Sequence, residues 1–259
     1  MDHRKKLAWA HKRFDALESE FRAFIEQGDA YTLVRKYDPQ QGCYIAYLKE
    51  VGSTPADWSL MLGEIVHAMR SALDALMYAL AVKNLGRNPT DREVIQIQFP
   101  IVDELKDWPG ECGRRLKHVH PDVRTFIETL QPYHRPDKAY RSNLAVLRDL
   151  SNVDKHRHIV VTLTAATASG LKISHPDLPP GIYLPGYKGL LKTGTVIARW
   201  KFLGAPATAG EEVQVHGDIA IDVAFGEGWP AWGGSVTAFL PAVHDHIANT
   251  VFPPLEKLL

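Results

Sequence analysis

Four ionisable side chains, Glu64, His67, Arg70 and Asp74, follow one another at steps of three, three and four residues inside WSLMLGEIVHAMRSALDALMYALAVK, residues Trp58 to Lys83. On a helix such steps set side chains along one narrow stripe. Apart from Tyr78 they are the only ionisable groups between Asp57 and Lys83. They interrupt an apolar surface, and charges in that setting need partners. A second stretch, RDLSNVDKHRHI, is the richest supply of such partners: Arg148, Asn152 and His156 stand four residues apart, with Asp154, Lys155, Arg157 and His158 crowding the helix end.

We expect the two stripes to face each other, and three kinds of chemistry follow. In the first, the cluster is a buried polar network that fixes helix register, with Arg70 paired to Asp154 and Asp74 to His156 or Arg157; Lys155 to His158 then suit the negative end of the helix dipole. In the second, it is a site for acid–base work on a phosphate. His156 is general base or acid, Arg148 or Arg70 stabilises phosphate charge through a planar fork, and Asn152 and Asp74 orient them, with His67 alongside. Such a site should open near Arg114, Arg115 and Lys117. In the third, the cluster is a metal site. Glu64 and His67 have the Glu-x-x-His spacing of di-iron bundles, but no second Glu-x-x-His and no further pair of suitably placed glutamates accompany them. A mononuclear set of His67, Asp74, Asp154 and His156 is the remaining metal alternative. The first reading is preferred, which makes the chain a binding or structural protein with no cofactor and no metal.

The elements that must hold these residues can be read from periodicity. Trp58, Leu62, Ile65, Met69, Leu73, Leu76 and Leu80 repeat on one helical face, which predicts a central helix over 55–84. Thr54 is the expected N-cap, with Pro55 at the first helical position. Ala68, Ala72, Ala75 and Ala79 form a small apolar stripe that a neighbouring helix could approach closely. A first helix is predicted over 1–28, a helix from Pro121 to Leu130, another from about Lys138 to His156, and a last one over 235–259 broken or restarted at Pro253-Pro254. YTLVRKYDPQQGCYIAYLKEV reads as a hairpin turning at Asp38-Pro39-Gln40-Gln41-Gly42. QIQFPIV, with Pro100 inside it, is at best an edge strand. Residues 159–232 change to Gly, Pro and β-branched character and predict antiparallel strands, with Gly217-Asp218 a turn or bulge. The expected fold class is α+β: mainly a helical bundle drawn from 1–28, 55–84, 121–156 and 235–259, a β-rich insertion at 159–232, and an N-terminal hairpin, all in one domain.

Composition narrows the partners. A chain of 259 residues, 45% of them hydrophobic, can bury a sizeable core. Thirty Lys and Arg balance thirty Asp and Glu, so no overall positive coat invites nucleic acid. Cys43 and Cys112 have no metal-ligand spacing and make a poor disulfide framework, which favours a reducing, cytoplasmic setting. The N-terminal stretch lacks a signal-peptide run, no stretch is long and apolar enough to cross a membrane without charges, and no membrane partner is expected. His244, Asp245 and His246 read as a solvated face, and no Gly-x-Ser-x-Gly, His-Glu-x-x-His or phosphate-loop motif is present.

GEIVHAMRSALDALMYAL and LRDLSNVDKHR together resemble a family of bacterial and phage proteins whose pattern is Gly-Asp/Glu-x-x-His-x-x-Arg-x-x-Leu-Asp followed later by Asn-x-x-Lys-His-Arg. Gly63, Glu64, His67, Arg70, Leu73 and Asp74 match the first part, and Asn152, Lys155, His156 and Arg157 the second. The resemblance covers roughly the first 160 residues; it implies that the two stretches form one site and brings no assigned activity. More remotely, paired polar stripes in a helical bundle are similar to the HEPN superfamily, many of whose members are RNases of defence or toxin systems. That likeness implies metal-independent RNA cleavage, RNA or a protein as partner, and a homodimer. The HEPN signature is Arg, four to six residues of which the first is usually polar, then His; Arg148 is followed by Asp149, but seven residues separate it from His156, one too many. The departure leaves a non-catalytic HEPN-like bundle as the comparable expectation.

Overall fold

Helix α1 (Asp2–Glu26) turns one apolar edge, Leu7, Ala10, Phe14, Leu17 and Phe21, inward and leaves its charges outside. After it come the hairpin strands β1 (Tyr31–Asp38) and β2 (Cys43–Val51) and the long helix α2 (Asp57–Leu85). Short helices α3 (Asp91–Val94), α4 (Trp108–Arg115) and α5 (Pro121–Thr129) lead to α6 (Asn143–Asp154). Strands β3 (Val161–Ser174), β4 (Ile182–Tyr183), β5 (Gly189–Leu190), β6 (Val196–Trp200) and β7 (Gln214–Phe225) precede α7 (Val236–His246), a wide π turn (Ile247–Val251) and α8 (Phe252–Glu256). The structure, a computed structural model, describes residues 2–27, 30–38, 40–41, 43–135, 142–155, 159–174, 182–183, 189–190, 192–200, 214–228 and 231–259. The chain is α+β and mainly helical, as its patterning predicts.

Every residue of the predicted α2 face, from Trp58 to Leu80, is buried. Trp58 sits edge-on to Phe21 and Phe24, with ring centroids 4.5 and 5.2 Å away, and its indole N–H donates to Glu20 at 3.1 Å. These contacts fasten the start of α2 to the far end of α1; truncating so large a buried side chain costs about 3–5 kcal/mol. Half of the most apolar part of α2 is enclosed by protein. It is the one helix, among the described residues, long and apolar enough by length and composition to cross a membrane, and it carries Glu64, Arg70 and Asp74 within its length.

Several boundaries differ from the sequence reading. Thr54 does not cap α2: its hydroxyl donates to the Val161 carbonyl at 3.1 Å, and the helix starts after Ala56 without a side-chain cap. Helix α6 starts later than expected, at Asn143, because Ser142 caps it by accepting the Ala145 N–H at 3.1 Å. The last helix restarts at Phe252, with Pro253 and Pro254 in the first turn of α8, as expected. Pro253 and Pro254 offer no N–H to the carbonyls four residues back, and the π turn at Ile247–Val251 absorbs the mismatch.

The strands form two antiparallel sheets. One, in the order β1, β2, β6, draws β6 from the later part of the chain onto the N-terminal hairpin. The other is built on the long β3–β7 pair, with β4 and β5 also on β3. Gly217 and Asp218 lie inside β7 and make no turn; a register shift between Ser169 and Lys172 falls opposite them, which is the bulge alternative. Gln96 to Val102 joins neither sheet.

Candidate functional site

The run Phe99-Pro100-Ile101-Val102 is buried, yet belongs to no helix and pairs with no strand. Its backbone groups still need partners, and side chains from three helical regions supply them. From α2, Asp74 accepts the Phe99 N–H at 2.8 Å while Arg70 donates to the Phe99 carbonyl at 2.5 Å. Arg70 and Asp74 are themselves 3.2 Å apart. One residue of the segment is thus held at both its amide and its carbonyl by an ion pair one helical turn long.

Just past α5, Gln131 holds the next stretch. Its side-chain oxygen accepts the Val102 N–H at 2.9 Å, and its amide group donates to the carbonyls of Pro100 and Ile127 at 3.2 and 2.9 Å. Gln131 is almost wholly buried. From α6, Arg148 donates to the Ile101 carbonyl at 3.3 Å, to Asp103 at 2.7 Å and to Asp149 at 2.7 Å. The backbone hydrogen bonds of this irregular segment are therefore made by side chains.

Electrostatics follow from this packing. Burial pushes the Arg70 guanidinium below its ordinary range, Asp74 works the other way, and the positive charges of Arg115 and Arg148 add to the lowering. Burial also works against the charge on Arg148, but Asp103 and Asp149 outweigh it and hold the guanidinium above its ordinary range. Two polar atoms here, Arg70 Nη1 and Asp103 Oδ1, are buried without a hydrogen-bond partner among the described residues.

The sequence stripes are brought together only in part. Arg70 and Asp74 of α2 and Arg148 of α6 meet through the 99–103 segment rather than by direct pairing. Arg70 pairs with Asp74 on its own helix, not with Asp154. Asp154 instead lies against Gly63: a Cβ placed on Gly63 would fall 2.3 Å from Asp154 Oδ1. Glycine at this buried position of α2 is what lets α6 come so close. His67 and Asn152 are exposed, not buried; Asn152 accepts from Lys155 at 3.4 Å. Glu64 is exposed too and pairs with Arg13 of α1 at 2.8 Å. His156 lies outside the described residues, with Arg157 and His158.

An open cleft of about 720 Å³ adjoins Arg148. Its wall includes the carboxylates Asp103, Glu104, Asp107 and Glu111 against the cations Lys106, Arg114 and Arg148. Arg114 is paired with Glu111, and Arg115 lies 3.6 Å from the same carboxylate and donates to the Ile95 carbonyl at 3.3 Å. Lys117 is exposed. This wall carries more negative than positive charge. Among the described residues, no three His, Cys, Asp or Glu side chains gather so as to hold a metal ion, and the Asp74 oxygen of the mononuclear alternative is already committed to the Phe99 amide.

Sequence reasoning missed Gln131 and Asp103. No local signal marks Gln131, which follows a helix end and precedes Pro132; Asp103 ends an apolar run and reads as an ordinary boundary. Comparison with family models, with curated proteins and with solved structures gives no match.

Proposed function

We propose that the chain is a binding or structural protein in which the Arg70, Asp74, Gln131 and Arg148 side chains serve as an internal clamp. The observation that carries this reading is the double grip on Phe99, amide and carbonyl, by one ion pair. Groups kept for phosphate chemistry should point at substrate. Here Arg70 is spent on Phe99 and Asp74, and Arg148 on Ile101, Asp103 and Asp149. A half-buried arginine already bound to two carboxylates is a poor anchor for a further anion, and the cleft beside it has no surplus of positive charge to attract a nucleic-acid backbone.

The alternative, a HEPN-like RNase acting without metal through His156 and Arg148, meets both objections. It is tested by incubating the full chain with single-stranded and structured RNA in the presence of a chelator. The clamp reading expects no cleavage above background. Cleavage that disappears in both Arg148→Lys and Asn152→Ala variants, with unfolding midpoints unchanged, would overturn it. A reducing, cytoplasmic location suits this protein, since Cys43 and Cys112 are both unpaired.

A further inference from the structure

A cavity of about 290 Å³ lies between the end of α5, the start of α6 and the last helical stretch, and it is separate from the cleft beside Arg148. Its size is at the lower end of the range for small-molecule sites. Three basic side chains line it, His134, Arg135 and His246, and among the described residues no carboxylate does. The cleft beside Arg148, by contrast, sets four carboxylates against three cations. Arg135 is exposed and has no ion pair among the described residues; the titratable group it acts on is another base. Burial, and then the charge of Arg135, hold His246 below its ordinary value of 6.5. His246 is half-buried here, whereas the sequence reading sets it on a solvated face with Asp245. His134 turns Nε2 to the Glu128 carbonyl at 2.9 Å, which leaves its Nδ1 uncommitted. The Glu128 carboxylate takes the Tyr133 hydroxyl at 3.3 Å and does not line the cavity.

Hydrogen-bond donors accompany these bases. Ser142 accepts the Ala145 N–H at 3.1 Å, so its own hydroxyl proton is left to donate. The π turn that follows His246 carries Thr250 to the same wall. Helix α6 begins there as well, so the positive end of its dipole adds to the charge. We propose that this cavity binds a phosphate group, either free phosphate or one carried on a small organic molecule. The planar fork of Arg135 meets two oxygens, and Ser142, Thr250 and His246 serve the remainder. A carboxylate has only two oxygens, which one guanidinium satisfies, and would leave the other donors unused. A phosphate brings a third oxygen and up to about two negative charges. Leu130, Pro132 and Leu144 line the rest of the wall, where a carbon skeleton can lie.

The groups that face His246 are Arg135 and His134 from the turn after α5, and α6 contributes no charged side chain to the cavity. On its own helix His244 stacks on His11 of α1 and lies 3.2 Å from Asp245. A bound phosphate is therefore the missing counter-charge of His246, and it draws the imidazole toward its protonated form. Gln131 lines the cavity and also holds Val102, but the inference does not rest on the clamp reading: unfolding measures the clamp, and ligand binding measures the cavity.

The test titrates the full chain with phenyl phosphate, inorganic phosphate and benzoate at fixed ionic strength, followed by calorimetry and by the histidine ring signals in NMR. Phenyl phosphate should saturate with a dissociation constant of roughly millimolar or below, and benzoate should bind at least about tenfold more weakly, since it leaves donors unpaired. If inorganic phosphate matches the ester, the free ion is the ligand; if the ester binds more tightly, the site takes a phosphorylated small molecule. Arg135→Ala should weaken phenyl phosphate by about tenfold or more, whereas Arg92→Ala, at an exposed position on α3, should leave it unchanged. Bound phenyl phosphate should make His246 titrate about one pH unit higher, an effect no structural role of His246 produces. Circular dichroism checks that the Arg135→Ala fold persists. Three results would each overturn the proposal: no saturable binding up to roughly 20 mM, equal binding of benzoate, or binding indifferent to Arg135→Ala with an unmoved His246.

Discussion

Replacing Asp74 by alanine isolates what the Phe99 grip is worth. The Phe99 N–H lies 2.8 Å from Asp74 Oδ1, and Phe99 is wholly buried. Without the carboxylate that amide is a buried donor lacking an acceptor, at a cost of about 1–3 kcal/mol. Arg70 loses its 3.2 Å partner but keeps the Phe99 carbonyl, and its side chain remains 18% exposed. The loss there is therefore well below that of a sealed ion pair, about 1 kcal/mol. Together Asp74→Ala should cost about 3 kcal/mol. Asp74→Asn keeps an oxygen for the Phe99 amide and loses only the charge, so about 1–1.5 kcal/mol is expected. Urea unfolding followed by tryptophan fluorescence and by circular dichroism gives both values, provided the two probes coincide. A loss below about 0.5 kcal/mol for Asp74→Ala would refute the clamp and imply that the ion pair is retained for something other than folding. Equal losses for Ala and Asn would refute the role of the accepted hydrogen bond.

Two further outcomes are expected. Gly63→Ala should lose about 1–3 kcal/mol as the new methyl pushes Asp154 away and separates α6 from α2; an unchanged unfolding midpoint would show that Asp154 moves aside freely. The Arg4 and His3 hydrogen bonds hold the Glu256 carboxyl below its ordinary value of 4.5. A carboxyl lowered in the fold stabilises above its unfolded value and loses that contribution as pH falls through the folded one. Stability of the wild type should thus fall below about pH 4.5 more steeply than that of Glu256→Gln; parallel pH curves would rule the contribution out.

Patterns of apolar residues made the bundle legible, since the α2 face from Trp58 to Leu80 is set by one helix's own period. The candidate site was legible only in part, and its geometry explains why. Each three-residue step on a helix falls about 60° short of a full turn, so two steps carry Arg70 well around from Glu64. Glu64 accordingly turns to Arg13 on α1, while Arg70 and Asp74 reach Phe99. Four residues of shared spacing on α6 likewise put Arg148 into the clamp and Asn152 into solvent. Gln96 to Val102 reads as at best an edge strand because local pattern shows only that it is apolar and holds a proline. That its hydrogen bonds come from Arg70, Asp74, Gln131 and Arg148 is a matter of tertiary placement, invisible to any window of sequence.

The contact of His3 and Arg4 with Glu256 joins residues more than 250 positions apart. His3 is buried there, edge-on to Phe252 with centroids 4.9 Å apart. During synthesis α1 emerges well before the turn that covers its beginning, which is made some 250 residues later. Its apolar edge must wait, half-clad, while the β-rich stretch is translated. Closing so long a loop adds little to the equilibrium cost, because loop entropy grows only with the logarithm of length. It weighs on the rate instead, since folds dominated by distant contacts form slowly. The chain thus has a thermodynamically cheap closure and a kinetically late one, and its exposure to aggregation or to chaperones is concentrated before residues 252–256 arrive.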